Sequence, residues 1–242
     1  MELTKEKLLE SKIIFNHIPK AGGTSLFYFF HEIFGPERCF RHSARDAKTG
    51  RHSPPIAKVP KEELETYQFF SGHFDFGNHT RFDGPVLYLG VMRDPVERVI
   101  SDYYFNKRQG RKDLMEQANS MTLDEYIQSK IENPKSRLVN SAQTVYLSGQ
   151  ETAEAAKGII EEWYLACCAI EQLDDMQRLL ARLYDRPDLA PTRVNITKAQ
   201  KTTTEISPAI LADLNERFAE DYKLLAWVRD KFENDYRHRT LQ

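Results

Sequence analysis

The amino-acid sequence predicts an α/β fold in which a central parallel sheet is flanked by helices. Three observations support this. Short apolar runs of strand type, Ile13-Ile14-Phe15, Val86 to Met92 and Tyr164 to Ile170, alternate with stretches of helical periodicity. Val86 to Met92 is apolar without a break, as a strand covered on both faces requires. The 242 residues are also enough to bury a substantial core, most simply as a single domain over 1–242.

In chain order, MELTKEKLLESK reads as a charged helical lead-in with no apolar stretch of signal-peptide type. The strand Ile13 to Phe15 then leads into the turn Pro19-Lys20-Ala21-Gly22-Gly23-Thr24-Ser25. Beyond the turn, Leu26, Phe27, Phe29, Phe30, Ile33 and Phe34 recur at helical spacing, and Gly35-Pro36 stops the helix. Strand, glycine turn and helix together present backbone N–H groups and a helix N-terminus to an anion. Gly22 and Gly23 allow a tight bend and close approach, Lys20 adds a point charge, and Thr24 and Ser25 add hydroxyls. Such a phosphate cradle makes the expected three-layer fold P-loop-like. It is not a Walker A motif, because Lys20 precedes the glycines instead of standing between the last glycine and the hydroxyl.

Residues 36–60 read as irregular and locally basic, through Arg38, Arg41, Arg45, Lys48 and Arg51, with Pro54, Pro55 and Pro60 arguing against regular structure. They form either a solvated loop or an anion-attracting rim. Thr66 to Ser71 is a short strand that runs into Gly72-His73, and a histidine at a strand's C-terminal end lies where open α/β sheets place their chemistry. The strand Val86 to Met92 ends in Arg93-Asp94-Pro95. Asp94 can cap, and Pro95 can start, a helix over Val96 to Arg108.

From 107 to 136 the composition turns polar, and Thr122 with Glu125 fits a capping box. This segment is either an acceptor-binding lobe or a solvated helical excursion. A helix over Ala153 to Glu162, the strand Tyr164 to Ile170 and an amphipathic helix over Leu173 to Tyr184 follow. The loop Thr197 to Thr204, with Lys198 and Lys201, leads to helices within Ile206 to Phe232.

The formal net charge of −2 argues against a general nucleic-acid binder, and no apolar run approaches the ~18 residues of a membrane span. Three cysteines, two of them adjacent at 167 and 168, read as reduced and buried. No metal-ligand spacing is present, and His73 and His79 are too isolated to form such a site. The expectation is a soluble, cytoplasmic chain of bacterial type.

The order Pro19-Lys20-Ala21-Gly22-Gly23-Thr24-Ser25 resembles the 5′-phosphosulfate loop of sulfotransferases that use PAPS (3′-phosphoadenosine 5′-phosphosulfate), most closely the carbohydrate type of the heparan sulfate 2-O-sulfotransferase family. The segment RDPVERVISDYYF, residues 93–105, resembles that family's 3′-phosphate motif. The resemblance runs with gaps from about residue 12 to 232. It implies that His73 is the catalytic base, that Lys20 and Ala21 to Ser25 hold the 5′-phosphosulfate, and that Arg93 and Ser101 grip the 3′-phosphate. Lys198 and Lys201 then lie in a segment closing over the nucleotide. The implied donor is PAPS, with PAP as product and no metal, and the implied acceptor is a hydroxyl of a carbohydrate or small metabolite. The resembled family has a second histidine where this chain has Ser71, so Ser71, Asp75 and His79 stay open as partners of His73. Its Golgi relatives carry a membrane anchor. A P-loop-like kinase, with Asp94 standing in for a Mg²⁺-binding aspartate, and a catalytically silent nucleotide-binding protein are the two rival readings.

Overall fold

The computed structural model describes residues 3–42, 55–134, 136–139, 143–194 and 206–241. Its centre is a five-stranded sheet in the order β2-β3-β1-β4-β5, formed by β1 (Lys12–Asn16), β2 (Cys39–Arg41), β3 (Phe69–Gly72), β4 (Val86–Met92) and β5 (Tyr164–Ala169). Every neighbouring pair is parallel. β4 and β5 are buried at every position, which is why both are apolar throughout instead of alternating.

The lead-in forms α1 (Lys5–Glu10), capped by the Thr4 side chain. Helix α2 (Gly23–Phe34) starts inside the glycine turn and ends at Gly35, whose φ of 82° is readily accessible only to glycine. The short α3 (Lys61–Leu64) precedes β3. Asp94 caps α4 (Pro95–Gln109) by accepting the Glu97 N–H at 2.9 Å, with Pro95 in the first turn. The polar stretch becomes α5 (Lys112–Ser120) and α6 (Leu123–Ile131), the latter opened by the Thr122–Glu125 capping box. Next come α7 (Gln143–Ser148), α8 (Ala153–Trp163), α9 (Leu173–Leu183), α10 (Pro208–Arg217) and α11 (Ala219–Lys231).

Two apolar clusters hold these elements. The larger encloses the sheet between α2 with α9 and α8 with α11, and includes Phe15, Phe30, Phe69, Leu89, Leu165 and Leu180. The smaller joins α4, α5, α6 and α10 through Val99, Tyr103, Ala118, Tyr126, Leu214 and Phe218. The polar insertion is therefore a packed helical lobe with its own buried face.

One expectation fails in residues 36–60. Their prolines and charges predict irregular structure, yet Cys39–Arg41 adds a fifth strand at the sheet edge, in register with Phe69 to Ser71 of β3. Three residues are too few to show a period, and only burial of Cys39 and Phe40 against the sheet makes them a strand. Arg45, Lys48 and Arg51 of the basic rim, and Lys198 and Lys201 of the second loop, lie outside the described residues.

Candidate active site

The sheet order puts β1 between β3 and β4, with α2, the first crossover helix, leaving β1 at the strand's C-terminal end. In open α/β sheets the crevice outside the strands' C-terminal ends is where ligands bind. Register then decides which side chains meet there. Asn16 pairs with Gly72 on one side and with Gly90 on the other, so His17 and His73, each one residue further on, come side by side. Arg93 is the first residue beyond β4. A cleft of about 1370 Å³ opens at this edge, lined by His17, Lys20, Gly22 to Ser25, Arg41, His73, Arg93 and Ser101. Typical single-ligand pockets run to ~300–1,000 Å³, so this one has room for a nucleotide and a second molecule.

The loop at its floor is shaped by two left-handed residues, Lys20 at φ 70° and Gly22 at φ 76°. Lys20 pays for that conformation with strain of order 1–3 kcal/mol, of the kind that collects at ligand sites. A Cβ on Gly23 would stand 2.0 Å from the His17 ring, and one on Gly22 2.9 Å from Leu173. Both glycines are thus required by packing against protein side chains. The first helical N–H groups, Gly23 and Thr24, have no intrahelical acceptor, the arrangement that favours an anion at a helix start. Ala21 and Ser25 differ from expectation, since their N–H groups donate within the turn, to Ile18 and Gly22 carbonyls at 3.2 and 3.1 Å. The Ser25 hydroxyl is also committed, accepting the Val194 N–H at 3.0 Å. Thr24 keeps its hydroxyl at the cleft, with Arg41 Nη2 at 3.5 Å. Lys20 Nζ lies 3.5 Å over the ring of Phe105, one turn beyond Ser101 on α4.

His73 is exposed to the cleft, and its Nδ1 lies 2.8 Å from the His17 carbonyl oxygen. A carbonyl can only accept, so Nδ1 carries the proton and the neutral ring keeps its lone pair on Nε2. The cleft walls lower the pKa of His73 by desolvation. The His17 hydrogen bond opposes that shift, and His42, Arg41 and Lys20 add to it. The His17 ring packs 4.5 Å from that of His73 and 5.4 Å from Phe15.

Arg93 is held from three sides. Its Nη1 donates to the Lys20 carbonyl at 3.3 Å, and its Nε and Nη2 face Glu97 Oε2 at 3.4 Å. Its backbone is bonded by the side chain of Gln143. The open partners of His73 also receive places. Ser71 is buried within β3, and Asp75 forms an ion pair with Arg137. His79 turns to Tyr88, with Nδ1 3.0 Å from its hydroxyl, and stacks on Trp163 at 4.1 Å, away from the residues that line the cleft.

Sequence reasoning missed His17 and Phe105, and it marks Gln143-Thr144 only as part of a segment that resembles a family stretch near the site, with no atom assigned. His17 could have been found by the rule that selected His73, being the residue just past a strand's C-terminal end. Nothing in a one-dimensional pattern pairs Gln143 with Arg93. Among the described residues no cluster of His, Cys, Asp or Glu could hold a metal ion, and no helix is long and apolar enough to cross a membrane.

Comparison with known proteins agrees with this geometry. The sequence model of the sulfotransferase family matches residues 9–227. Uronyl 2-sulfotransferase of Mus musculus is 24% identical over 263 aligned positions, covering 92% of this chain and 62% of that protein. The Homo sapiens enzyme matches to the same extent. Heparan sulfate 2-O-sulfotransferase 1 of Xenopus laevis is 25% identical over 104 positions, covering 38% of this chain and 28% of its own length. The chain thus spans less than two thirds of the length of the curated relatives it matches. The expectation of a cytoplasmic chain of bacterial type is corrected by these relatives, which are animal 2-sulfotransferases acting, by their names, on uronyl and heparan sulfate groups. With a family match over nine-tenths of its length, the chain belongs to the sulfotransferase family.

Proposed function

We propose that this chain, as one sulfotransferase domain, moves the sulfuryl group of PAPS to a carbohydrate hydroxyl. The observation that carries the reading is the orientation of His73: the His17 carbonyl holds Nδ1–H and leaves Nε2 as acceptor in the cleft that also contains the phosphate loop. When bound, PAPS supplies an activated sulfuryl group with phosphate as leaving group. The residues present suit it. The helix start and Lys20 supply a positive field, and Arg93 with Ser101 lines the same cleft. His73 Nε2 takes the proton of the acceptor hydroxyl as its oxygen bonds to sulfur, a contribution of ~10²–10⁴-fold. Lys20 and the Gly23 and Thr24 N–H groups stabilise the charge that grows on the leaving side, worth ~10²-fold or more per donor removed.

The cleft as a whole is basic, beyond the Lys20 and Arg93 that face the nucleotide. Eight basic side chains line the cleft (Lys20, Arg41, Arg93, Arg108, Arg111, Lys130, Arg137, Arg193) against three acidic ones (Asp102, Glu171, Asp174). That balance suits an anionic sugar, in line with the uronyl and heparan sulfate names of the relatives. The lobe built on α5 and α6 contributes Leu114, Tyr126 and Lys130 to the same wall. The test is transfer of labelled sulfate from PAPS to desulfated heparan and chondroitin chains and to simple alcohols. Label on a uronate-bearing chain supports the reading. PAP binding without transfer to any acceptor would instead indicate a silent nucleotide-binding protein, and ATP-dependent phosphorylation a kinase.

A further inference from the structure

We propose that Gln143 is a positioning residue for Arg93, fixing the backbone from which the guanidinium reaches the nucleotide's 3′-phosphate. This rests on the assignment of Arg93 to that phosphate above. Gln143 opens α7 and is fully buried. Both ends of its amide bond to a single residue: the Arg93 N–H donates to Oε1 at 3.0 Å, and Nε2 donates to the Arg93 carbonyl at 2.6 Å. The reason for this arrangement lies in the sheet. The pairing of β4 with β5 ends at Met92 and Ala169, so Arg93 is the first residue without a strand neighbour. Gln143 supplies the donor and the acceptor that another strand residue would have given.

Gln143 is itself fixed. Its N–H donates to Asp221 Oδ2 at 2.9 Å, while the N–H and hydroxyl of Thr144 donate to Oδ1 at 2.9 and 2.8 Å. Asp221 is fully buried on α11. A chain of hydrogen bonds thus runs from α11 through the start of α7 to the end of β4. The side-chain contacts of Arg93, at 3.3 and 3.4 Å, are long by comparison. Position is therefore imposed mainly through the backbone, and the guanidinium remains available to an anion.

A structural staple would affect all ligands alike, whereas a device that positions Arg93 affects only those with a 3′-phosphate. PAP and adenosine 5′-phosphate differ by that group alone. Their dissociation constants are to be measured by calorimetry for wild type, Gln143→Met, Gln143→Glu, Arg93→Ala and Thr144→Val. Gln143→Met keeps the length and removes both bonds. It should weaken PAP about tenfold and leave adenosine 5′-phosphate unchanged. Gln143→Glu cannot donate to the Arg93 carbonyl and should act in the same direction. Thr144→Val removes one bond to Asp221 and should lower the melting temperature without changing the ratio of the two constants. Equal weakening of both ligands by the Gln143 variants, or no weakening, overturns the proposal. If Gln143→Met does not fold, an unchanged ratio in Gln143→Glu overturns it alone. An unchanged ratio in Arg93→Ala would instead remove the role of Arg93 and this inference with it.

Discussion

The Nδ1 of His73 stands 2.8 Å from the backbone carbonyl of His17, and this contact selects Nε2 as the basic nitrogen. Because the partner is backbone, side-chain changes at 17 leave the tautomer in place. Desolvation lowers the pKa of His73 from its ordinary value. A base must be unprotonated, so the rate should rise with pH through a midpoint below ~6.5 and be flat above it. His73→Ala should bind PAP normally, lose ~10²-fold or more in turnover and lose that limb. A pH–rate profile at saturating PAPS checks this. A variant with most of its rate and the same limb would show that the base is another group.

Lys20 combines strain with charge. Lys20→Ala should fold and reduce turnover by ~10²-fold or more, with a smaller loss in PAP affinity, because the ammonium acts mainly on charge that develops during transfer. Lys20→Gly should lose as much activity and yet be more stable than Lys20→Ala by ~1 kcal/mol, since glycine adopts the φ of 70° without a Cβ penalty. Denaturant unfolding of the two variants decides it. Equal stabilities would mean that the left-handed turn costs nothing.

Much of this was legible in the sequence. Continuous apolar runs marked β4 and β5, and Thr122, Asp94 and Gly35 marked their helix ends, because these signals are local. The strand, glycine turn and helix from β1 to α2 were legible for the same reason. The edge strand Cys39–Arg41 was not, since only the neighbouring β3 makes it a strand. Nor was the internal use of Ser25, whose hydroxyl is claimed by Val194, 169 positions away in sequence. His17 was missed because its place comes from parallel register, and Gln143 could be marked only as part of a segment near the site, because its contact with Arg93 spans 50 residues.

Arg93 should be sensitive to conservative change. Arg93→Lys keeps the charge but loses the planar fork, and should weaken PAP almost as much as Arg93→Ala does, with adenosine 5′-phosphate little affected. Ser101→Ala should weaken PAP by less, about tenfold at most, as expected for one neutral hydrogen bond. Titration by calorimetry measures both. Full retention of PAP affinity in Arg93→Lys would indicate a point-charge role without directed bonding.

The His17 ring predicts an acid-sensitive fold. Burial holds its pKa well below the ordinary value, and the charges of His73, Arg41 and Lys20 add to this. Between that lowered value and ~6.5 the unfolded chain binds more protons than the folded one. Stability contributed by neutral His17 is therefore present above about pH 6.5 and is lost as the pH falls from there through the folded-state value. His17→Phe keeps a ring that cannot be protonated, so its melting temperature should drop less between about pH 7.5 and pH 5. Parallel melting curves against pH for the two proteins would assign the acid sensitivity elsewhere.

The contact between His17 and Gly23 can be tested by a double-mutant cycle. A Cβ on Gly23 would lie 2.0 Å from His17 Cδ2 and Nε2, so Gly23→Ala must displace the ring. That ring supports His73 at 4.5 Å. The loss should therefore appear in turnover as well as in stability, although alanine is the better helix former at this position by ~0.5–1 kcal/mol. In a His17→Ala background the obstacle is gone, and Gly23→Ala should become neutral or stabilising. The two changes should then couple by ~0.5–3 kcal/mol, with the double variant more stable than the sum of the singles predicts. Strict additivity in urea unfolding would show that the ring does not sit against Gly23, and the packing that joins His73 to the glycine turn would have to be redrawn.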